Sequence, residues 1–291
     1  MSSSKVYYET DSKIKVEKVS LKGPGVLILT GPSSCGKGEI ADALSKVMSI
    51  PKHAHLSMGD ILRTTFERPK TDPSYKELLE KRYQISDSSN IFDCVDTTES
   101  LKTKVLNYLP ELEKYFKRKG MEKFTSQLEW LEFCTMNGLL VPNRWTQDFI
   151  TAHIEHEPYF KTNPFILDGY PRTVKAAEHL NTFLKSVNIP IIKVLHLSIS
   201  KQEMLSRASK RGRADDDEQS LLSRYNFYVE NVHPSIDYLK SELGSECIAL
   251  IDAHQPVYKI VDGVKVLNVQ KSILNVVASS LRNLGVSRIM V

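Results

Sequence analysis

One loop constrains the fold of this chain more than any other feature. It follows the apolar run 26–30 and precedes an amphipathic run that begins at Ile40. The loop consists of Gly31, Pro32, Ser33, Ser34, Cys35, Gly36 and Lys37. A strand, a glycine-bounded loop and a helix in this order and at this spacing are typical of a phosphate-binding P-loop, and the alternative is a purely structural glycine turn.

The residue types in the loop suit phosphate. Gly31 and Gly36 let the backbone turn so that successive N–H groups point at phosphate oxygens, and the following helix adds the positive end of its dipole. Lys37 adds a full positive charge. The hydroxyl that usually follows this lysine is missing, because Gly38 and then Glu39 stand there. A carboxylate at position 39 repels phosphate unless Mg²⁺ or an arginine compensates for it.

Short apolar runs alternate with helical stretches along the rest of the chain. The predicted strands are residues 26–30, 55–57, 165–167, 192–199 and 248–251. Helical periodicity marks residues 40–47, 174–187, 201–210 and 221–243. This alternation predicts a parallel sheet covered on both faces, with ligands at the carboxyl ends of its strands.

Two regions fall outside the alternation. Residues 1–24 contain an alternating stretch at 13–21 that predicts an added edge strand or a hairpin. Residues 68–136 open with a loop-like segment and contain the polar tract 86–90. Apolar residues then recur every three to four positions, which predicts two helices at about residues 99–118 and 121–135. The region is therefore interpreted as a helical subdomain.

Composition excludes several classes of protein. The 39 basic residues nearly balance the 35 acidic ones, so the chain is not predicted to bind nucleic acid or membranes in general. No run approaches the roughly 20 apolar residues of a membrane span, and the first residues hold no apolar signal core. Four scattered cysteines, without a C-x-x-C pair, predict a reducing cytoplasm and no zinc site or disulfide framework. His53 and His55 are interpreted as parts of a packed strand rather than as a metal pair.

Further motifs follow the P-loop in a recognisable order. They are the segments 55–63, 138–142, 168–172, 207–218 with Arg224, 234–238 and 251–256. In order and chemistry they resemble the adenylate kinase family of nucleoside monophosphate kinases, although the amino-acid sequence of the P-loop is closer to that of cytidylate kinase. The resemblance covers about residues 25–67 and 137–291, and several motifs in order are far more specific than one.

This resemblance implies a three-layer α/β P-loop NTPase fold whose five-stranded parallel sheet has the order 2-3-1-4-5. The implied P-loop core comprises residues 25–64, 151–204 and 217–291, after an N-terminal extension at 1–24. A helical acceptor-binding subdomain enlarged by an insertion is placed at 65–150. A short lid, without the zinc knuckle of some family members, is placed at 205–216.

The resemblance also implies roles for individual residues. The residues that act on the transferring phosphoryl group are Lys37, Arg172, Arg211, Arg213 and Arg224. ATP is held by Gly31, Ser33, Ser34, Cys35, Gly36, Lys37, Gly38, Glu39, Arg207 and Gln255. The acceptor is held by Met58, Arg63, Val141, Gly169, Arg172 and Ala176. In the lid, Asp215 and Asp216 fix the arginine-bearing segment. Asp168 holds Mg²⁺ through its water shell, and a helix N-cap is its structural alternative.

The implied reaction is transfer of the γ-phosphoryl group of Mg·ATP to a nucleoside monophosphate. Met58 and Ala176 stand where adenylate kinases place groups that read adenine, so altered or relaxed AMP selectivity is expected. Two other functions stay open at this point: a P-loop kinase of a non-nucleotide small molecule, and a regulatory nucleotide-binding protein derived from a kinase. Glu39 and the insertion at 68–136, which could also bind a protein partner, favour the regulatory alternative.

Overall fold

The structure is a computed structural model of the 291-residue chain. It describes residues 4–8, 14–18, 21–85, 109–122, 127–136, 143–211, 218–286 and 289–290. The chain divides into two compact units, one made of residues 1–57 with 159–291 and the other of residues 58–158.

The first unit contains the strands of the described chain. In chain order they are β1 (Ser4–Tyr8), β2 (Ile14–Lys18), β3 (Gly25–Thr30), β4 (His55–Ser57), β5 (Pro164–Asp168), β6 (Ile191–Ser198), β7 (Ile248–Asp252), β8 (Tyr258–Val261), β9 (Val264–Leu267) and β10 (Ile289–Met290). The helices of both units are α1 (Lys37–Met48), α2 (Met58–Glu67), α3 (Pro73–Arg82), α4 (Leu109–Lys119), α5 (Gln127–Met136), α6 (Asn143–His156), α7 (Val174–Ser186), α8 (Lys201–Arg211), α9 (Glu218–Phe227), α10 (His233–Leu243) and α11 (Val269–Asn283).

A five-stranded parallel sheet forms the centre of the first unit. Its strand order is β4-β5-β3-β6-β7, which confirms the predicted order 2-3-1-4-5 and the P-loop kinase fold class. All residues of β3 and β5 are buried, as expected for parallel strands that are covered on both faces. Each strand begins and ends within two residues of its predicted bounds. For β3 and β5 the reason is that a doubly covered strand reads as a continuous apolar run.

The N-terminal residues form a separate sheet. β1 and β2 pair antiparallel with Val6 opposite Val16, and β10 pairs with β2 on its other side. Of the two predicted arrangements, the hairpin is confirmed. The edge-strand alternative is wrong, because β1 and β2 lie in this three-stranded sheet and not in the parallel one.

A second hairpin, which was not predicted, joins β7 to α11. β8 and β9 pair antiparallel, and Asp262 and Gly263 at the turn both have positive φ angles, of 51° and 78°. Two adjacent positive φ angles are the geometry of a type I′ turn, for which Asp-Gly is a preferred sequence. All eight residues of the two strands are exposed. The N–H of Asn268 donates to the carbonyl of Val257 at 2.7 Å and closes the base of the hairpin.

The predicted helix at 221–243 is interrupted by a wider turn. α9 ends at Phe227, residues Tyr228–Val232 form a π-helical turn, and α10 begins at His233. The N–H of His233 bonds to the carbonyl of Tyr228, five residues earlier. Pro234 supplies a reason, because proline has no N–H for an α-helical bond and its ring clashes with the carbonyl four residues before it.

The second unit is helical in its described part. α2 packs on α5 and α6, and α3 packs on α6. The segment predicted as a loop at 68–74 instead contains a 3₁₀ turn at Arg68–Lys70 and the start of α3, because Asp72 accepts a hydrogen bond from the Tyr75 N–H as an N-cap. The two helices expected in the insertion are represented by α4 and α5, and the polar tract 86–90 and residues 99–108 lie outside the described residues.

An ionic network joins three segments of this unit. The Arg68 guanidinium contacts Asp72 at 2.9 Å and Glu157 at 2.7 Å, and the Nε2 atom of His156 lies 3.0 Å from Asp72. Burial acts to raise the pKa of Asp72, but hydrogen bonds led by the Tyr75 N–H lower that pKa below its usual range. None of the helices in the described part of the chain is both long and apolar enough to cross a membrane.

Candidate phosphate-binding site

The loop between β3 and α1 has the glycine conformations that the predicted phosphate-binding role requires. Gly31 has a φ of +150°, and a Cβ atom there would lie 2.5 Å from the carbonyl oxygen of Leu197 on β6. Gly36 has a φ of +88° and is the N-cap of α1. Position 31 therefore excludes any side chain, so the loop stays close to β6 and its N–H groups can turn inward.

Lys37 lies over the loop that it follows. Its Nζ atom donates hydrogen bonds to the carbonyls of Gly31 at 3.0 Å and Pro32 at 2.8 Å, and it is 3.7 Å from the Sγ atom of Cys35. A positive charge therefore stands at the N-terminus of α1, where phosphate oxygens are attracted.

The remaining loop residues differ in exposure. Cys35 is 1% exposed, and burial raises the pKa of its thiol although Lys37 acts in the opposite direction. The Ser34 Oγ atom is buried and finds no hydrogen-bond partner among the described residues. Ser33 is half-buried, whereas Gly38 and Glu39 lie in the first turn of α1, where Glu39 is exposed. The Glu39 carboxylate therefore stands in solvent at the helix terminus that is expected to receive phosphate.

Asp168 ends β5 beside the loop and is 8% exposed. Its Oδ1 atom has no hydrogen-bond partner in the described part of the chain. A buried carboxylate oxygen without a partner is costly, and a hydrated Mg²⁺ ion would satisfy it, so the residue fits the predicted metal role. Asp168 is followed directly by Gly169 and is not an N-cap of the next helix, since Thr173 caps α7.

His55 faces this carboxylate from the neighbouring strand. Its Nε2 atom lies 3.8 Å from Asp168 and its Nδ1 atom 3.2 Å from Asp42 on α1. Burial acts to lower the pKa of His55, but the two carboxylates outweigh it and raise that pKa above its ordinary value. The prediction that His53 and His55 share one strand is wrong for His53, which lies in an exposed 3₁₀ turn before β4.

A tight turn after β5 presents Arg172. The N–H of Gly169 donates to the carbonyl of Leu29 at 2.9 Å, and the Arg172 Nε atom donates to the carbonyl of Gly169 at 2.8 Å. Arg172 is an exposed residue, so its planar guanidinium fork can bind a phosphate. Ala176 lies in the first turn of α7 and is 1% exposed.

Arg207 on α8 reaches the loop between β3 and α1. Its guanidinium contacts the carbonyls of Ala253 at 3.0 Å and Cys35 at 3.5 Å, and Glu203 binds its Nε atom. The Gln255 side chain spans the carbonyl of Asp252 and the hydroxyl of Ser279, at 2.8 and 3.2 Å. Both predicted ATP-binding residues are thus anchored beside the carboxyl end of β7.

The other predicted residues are on other elements or lie outside the described residues. Arg224 is half-buried on α9. The side chain of Arg211, together with Val141, Arg213, Asp215 and Asp216, lies outside the described residues. In the unit 58–158, Met58 is 3% exposed and Arg63 is an exposed partner of Asp60.

Sequence reasoning missed the surroundings of His196. This residue lies opposite Thr30 near the end of β6, is 3% exposed, and has its Nε2 atom 2.7 Å from the hydroxyl of Tyr228. A histidine between Leu195 and Leu197 was the available signal, but its partner lies 32 positions away and no local pattern predicts it. Within the described residues, no group of three or more His, Cys, Asp or Glu side chains could hold a metal ion directly.

Comparison with known proteins finds similarity to adenylate kinases. A family model described as adenylate kinase matches residues 116–243. The adenylate kinase of Mycobacterium sp. (strain MCS) is 27% identical over 217 residues, which are 75% of this chain and 87% of that protein. The adenylate kinase of Clostridioides difficile (strain 630) is 25% identical over 269 residues, covering 82% and 95% of the two chains.

A shorter match has higher identity. The adenylate kinase of Mycolicibacterium paratuberculosis is 36% identical over 106 residues, which are 36% of this chain and 58% of that protein. The predicted resemblance to the adenylate kinase family is confirmed. This similarity supports a nucleotide-binding phosphotransferase of the nucleoside monophosphate kinase type.

Proposed function

We propose, from the premise that this chain is a relative of the adenylate kinases, that it transfers the γ-phosphoryl group of Mg·ATP reversibly to a nucleoside monophosphate. The observation that carries the proposal is the cradle made by Gly31, Gly36 and Lys37 with the Asp168 carboxylate at the end of the adjacent strand. Cations and N–H groups converge there at the carboxyl ends of parallel strands, where ligands bind in such folds.

Phosphoryl transfer needs alignment and charge stabilisation more than covalent chemistry. Lys37 and the N–H groups of the P-loop would hold the donor phosphates, and Arg172 would hold an acceptor phosphate through its guanidinium. Asp168 would hold Mg²⁺ through its water shell; when bound, that ion neutralises charge on the phosphate oxygens. Arg207, fixed by the carbonyls of Ala253 and Cys35, would line the donor side.

The proposal also assigns roles to the acceptor-binding residues and to the lid. Arg63 would bind the acceptor phosphate, and the lid arginines Arg211 and Arg213 would close over the transferring group. Residues 65–150 would form the acceptor-binding subdomain and 205–216 the lid. Because Met58 and Ala176 are apolar and buried, they supply no side-chain hydrogen bond to a base, which supports relaxed selectivity among monophosphates.

The test is direct. The purified protein is incubated with Mg·ATP and, separately, with AMP, dAMP, CMP, UMP and GMP, and diphosphate products are quantified by chromatography. Formation of a diphosphate from at least one monophosphate is the expected result. Lys37→Met should abolish it, while Lys52→Met, which removes a charge from an exposed 3₁₀ turn outside the site, serves as the matched control.

A regulatory nucleotide-binding protein is the second candidate, and Glu39 favours it. An exposed carboxylate in the first turn of α1 repels the phosphates that this helix should attract. Tight ATP binding without diphosphate formation from any of the five monophosphates would favour this candidate over the kinase.

A further inference from the structure

A partly buried neutral pair connects the strand beside the P-loop to the helical segment that carries Arg224. The His196 Nε2 atom and the Tyr228 hydroxyl lie 2.7 Å apart, and the imidazole of His196 is almost fully buried. Burial lowers the pKa of His196 to about 4, helped by His233, and burial raises the pKa of Tyr228 to about 12. Both groups are therefore neutral at pH 7, and the bond between them is not lost by titration near that pH.

The pair lies next to the loop. His196 is paired in register with Thr30, the residue before Gly31. The rings of His196 and His233 are also in contact, with centroids 5.5 Å apart, so α10 is held at the same place.

Tyr228 owes its position to the π-helical turn. It is the first residue of that turn, and its carbonyl accepts the i+5 hydrogen bond from the His233 N–H. A π-turn inserts one extra residue into a helix and is frequent at functional sites. Here it directs the Tyr228 hydroxyl at β6 while the chain continues into α10.

Arg224 lies four residues before Tyr228. Residues four apart lie on the same face of a helix. The side chain of Tyr228, which bonds to β6, and the guanidinium of Arg224 therefore share one face. Fixing Tyr228 against β6 therefore limits the rotation of α9 about its axis, and with it the direction of Arg224. Tyr225, on the same helix, makes a different contact: the Lys201 ammonium lies over its ring, 5.6 Å from the ring centroid.

We infer that Tyr228, held by His196, is a positioning residue that sets the place of Arg224 relative to the P-loop during phosphoryl transfer. This inference rests on the proposed function. Tyr228 need not touch the substrate, because it acts through the orientation of α9. Small misplacements of groups that align a reaction can lower rates by about 100-fold.

The first experiment compares Tyr228→Phe with Tyr225→Phe, which removes a hydroxyl from the same helix but leaves the His196 contact intact. With the acceptor found above, Tyr228→Phe should lower kcat about tenfold while the KM for Mg·ATP changes less than about twofold. Tyr225→Phe should retain the kcat of the wild type. Melting temperatures of both variants are measured so that a general loss of stability is recognised.

A double-mutant cycle tests whether Tyr228 acts through Arg224. In an Arg224→Ala background, Tyr228→Phe should change kcat less than about twofold, because the group that it positions is already absent. A tenfold loss that persists in that background would overturn the inference. So would a Tyr228→Phe enzyme with the kcat of the wild type.

His196 provides an independent pair of variants. Glutamine can place a polar group where the Nε2 atom of histidine lies, whereas leucine cannot, so His196→Gln should retain more of the kcat than His196→Leu. Equal values of kcat for the two would contradict the inference. A wild type that transfers no phosphoryl group would overturn the proposed function and this inference with it, whereas an active wild type with an equally active Tyr228→Phe overturns the inference alone.

Discussion

At the scale of single residues, the loop between β3 and α1 depends on the absence of a side chain at position 31. Gly31 has no Cβ atom, and this allows the loop to lie against the carbonyl of Leu197. Gly38, seven residues later, has an ordinary φ angle, and a Cβ atom added there would have no neighbour within 4 Å. A methyl group would therefore clash with the backbone at position 31 but would fit without a clash at position 38.

Gly31→Ala should therefore be strongly destabilising and Gly38→Ala should not. The new Cβ at position 31 would approach a backbone oxygen to 2.5 Å, and overpacking of this kind costs about 1–3 kcal/mol. Thermal unfolding of both variants measures the difference, and a Gly31→Ala protein with the melting temperature of the wild type would contradict the described loop geometry.

Glu39→Thr should strengthen binding of ATP. The substitution removes a negative charge from the first turn of α1 and restores a hydroxyl, so the KM for Mg·ATP should fall several-fold. Glu39→Gln separates the two effects, because it removes the charge without adding a hydroxyl. ATP titrations at low and high salt provide the measurement. A KM that rises in both variants would instead indicate that Glu39 assists the nucleotide or its metal.

At the scale of elements, the strands of the parallel sheet were predictable and several other elements were not. Residues 26–30 and 165–167 read as buried strands because both faces of the sheet are covered. The hairpin of β8 and β9 had a turn signal in Asp262 and Gly263, but its strands are exposed and lack the apolar run that marks a buried strand. For the π-turn at Tyr228–Val232, Pro234 was the sequence signal. A proline indicates that a helix is irregular there but does not indicate whether it kinks, ends or forms a π-turn.

The hairpin of β8 and β9 should be dispensable for folding. All its strand residues are exposed, and Val257 and Asn268 already meet through a 2.7 Å backbone hydrogen bond. Replacing residues 258–267 by two glycines should shift the melting temperature by no more than about 2 °C, because little buried surface is lost. Calorimetry of the shortened chain checks this, and a large drop would reveal a contribution of the hairpin that its exposure does not indicate.

At the scale of the whole molecule, the order of motifs predicted the ends of the strands that carry Lys37, Asp168 and Arg172. It could not predict contacts between side chains far apart in sequence. The bond between His196 and Tyr228 spans 32 positions, and the ion pair between Arg68 and Glu157 joins two segments that are even further apart. Such pairs depend on how helices pack on one another, and that information is spread over many apolar residues of the chain.

Each unit contains a histidine with a lowered pKa that should make stability fall in acid. Burial lowers the pKa of His196 in the first unit and of His153 in the second, in each case to about 4. Between the ordinary pKa of about 6.5 and pH 4, the unfolded chain binds these protons and the folded chain does not. Stability should thus fall as the pH falls through this window, by up to about 1.4 kcal/mol per pH unit for each histidine.

Urea unfolding at pH 7.5 and pH 5.0 tests this dependence. His196→Gln should lose less stability between the two pH values than the wild type, since one of the two groups no longer takes up a proton. Identical losses in the two proteins would show that His196 does not contribute to the acid sensitivity.

The π-helical turn has a further consequence for insertions and deletions. An α-helix advances by about 100° per residue, so the extra residue in Tyr228–Val232 sets the rotational phase of α9 relative to α10. Deleting Val229, which is exposed, would remove that extra residue and would turn Arg224 by about that angle. Removing a single residue from this turn would then reorient Arg224 without changing the arginine itself.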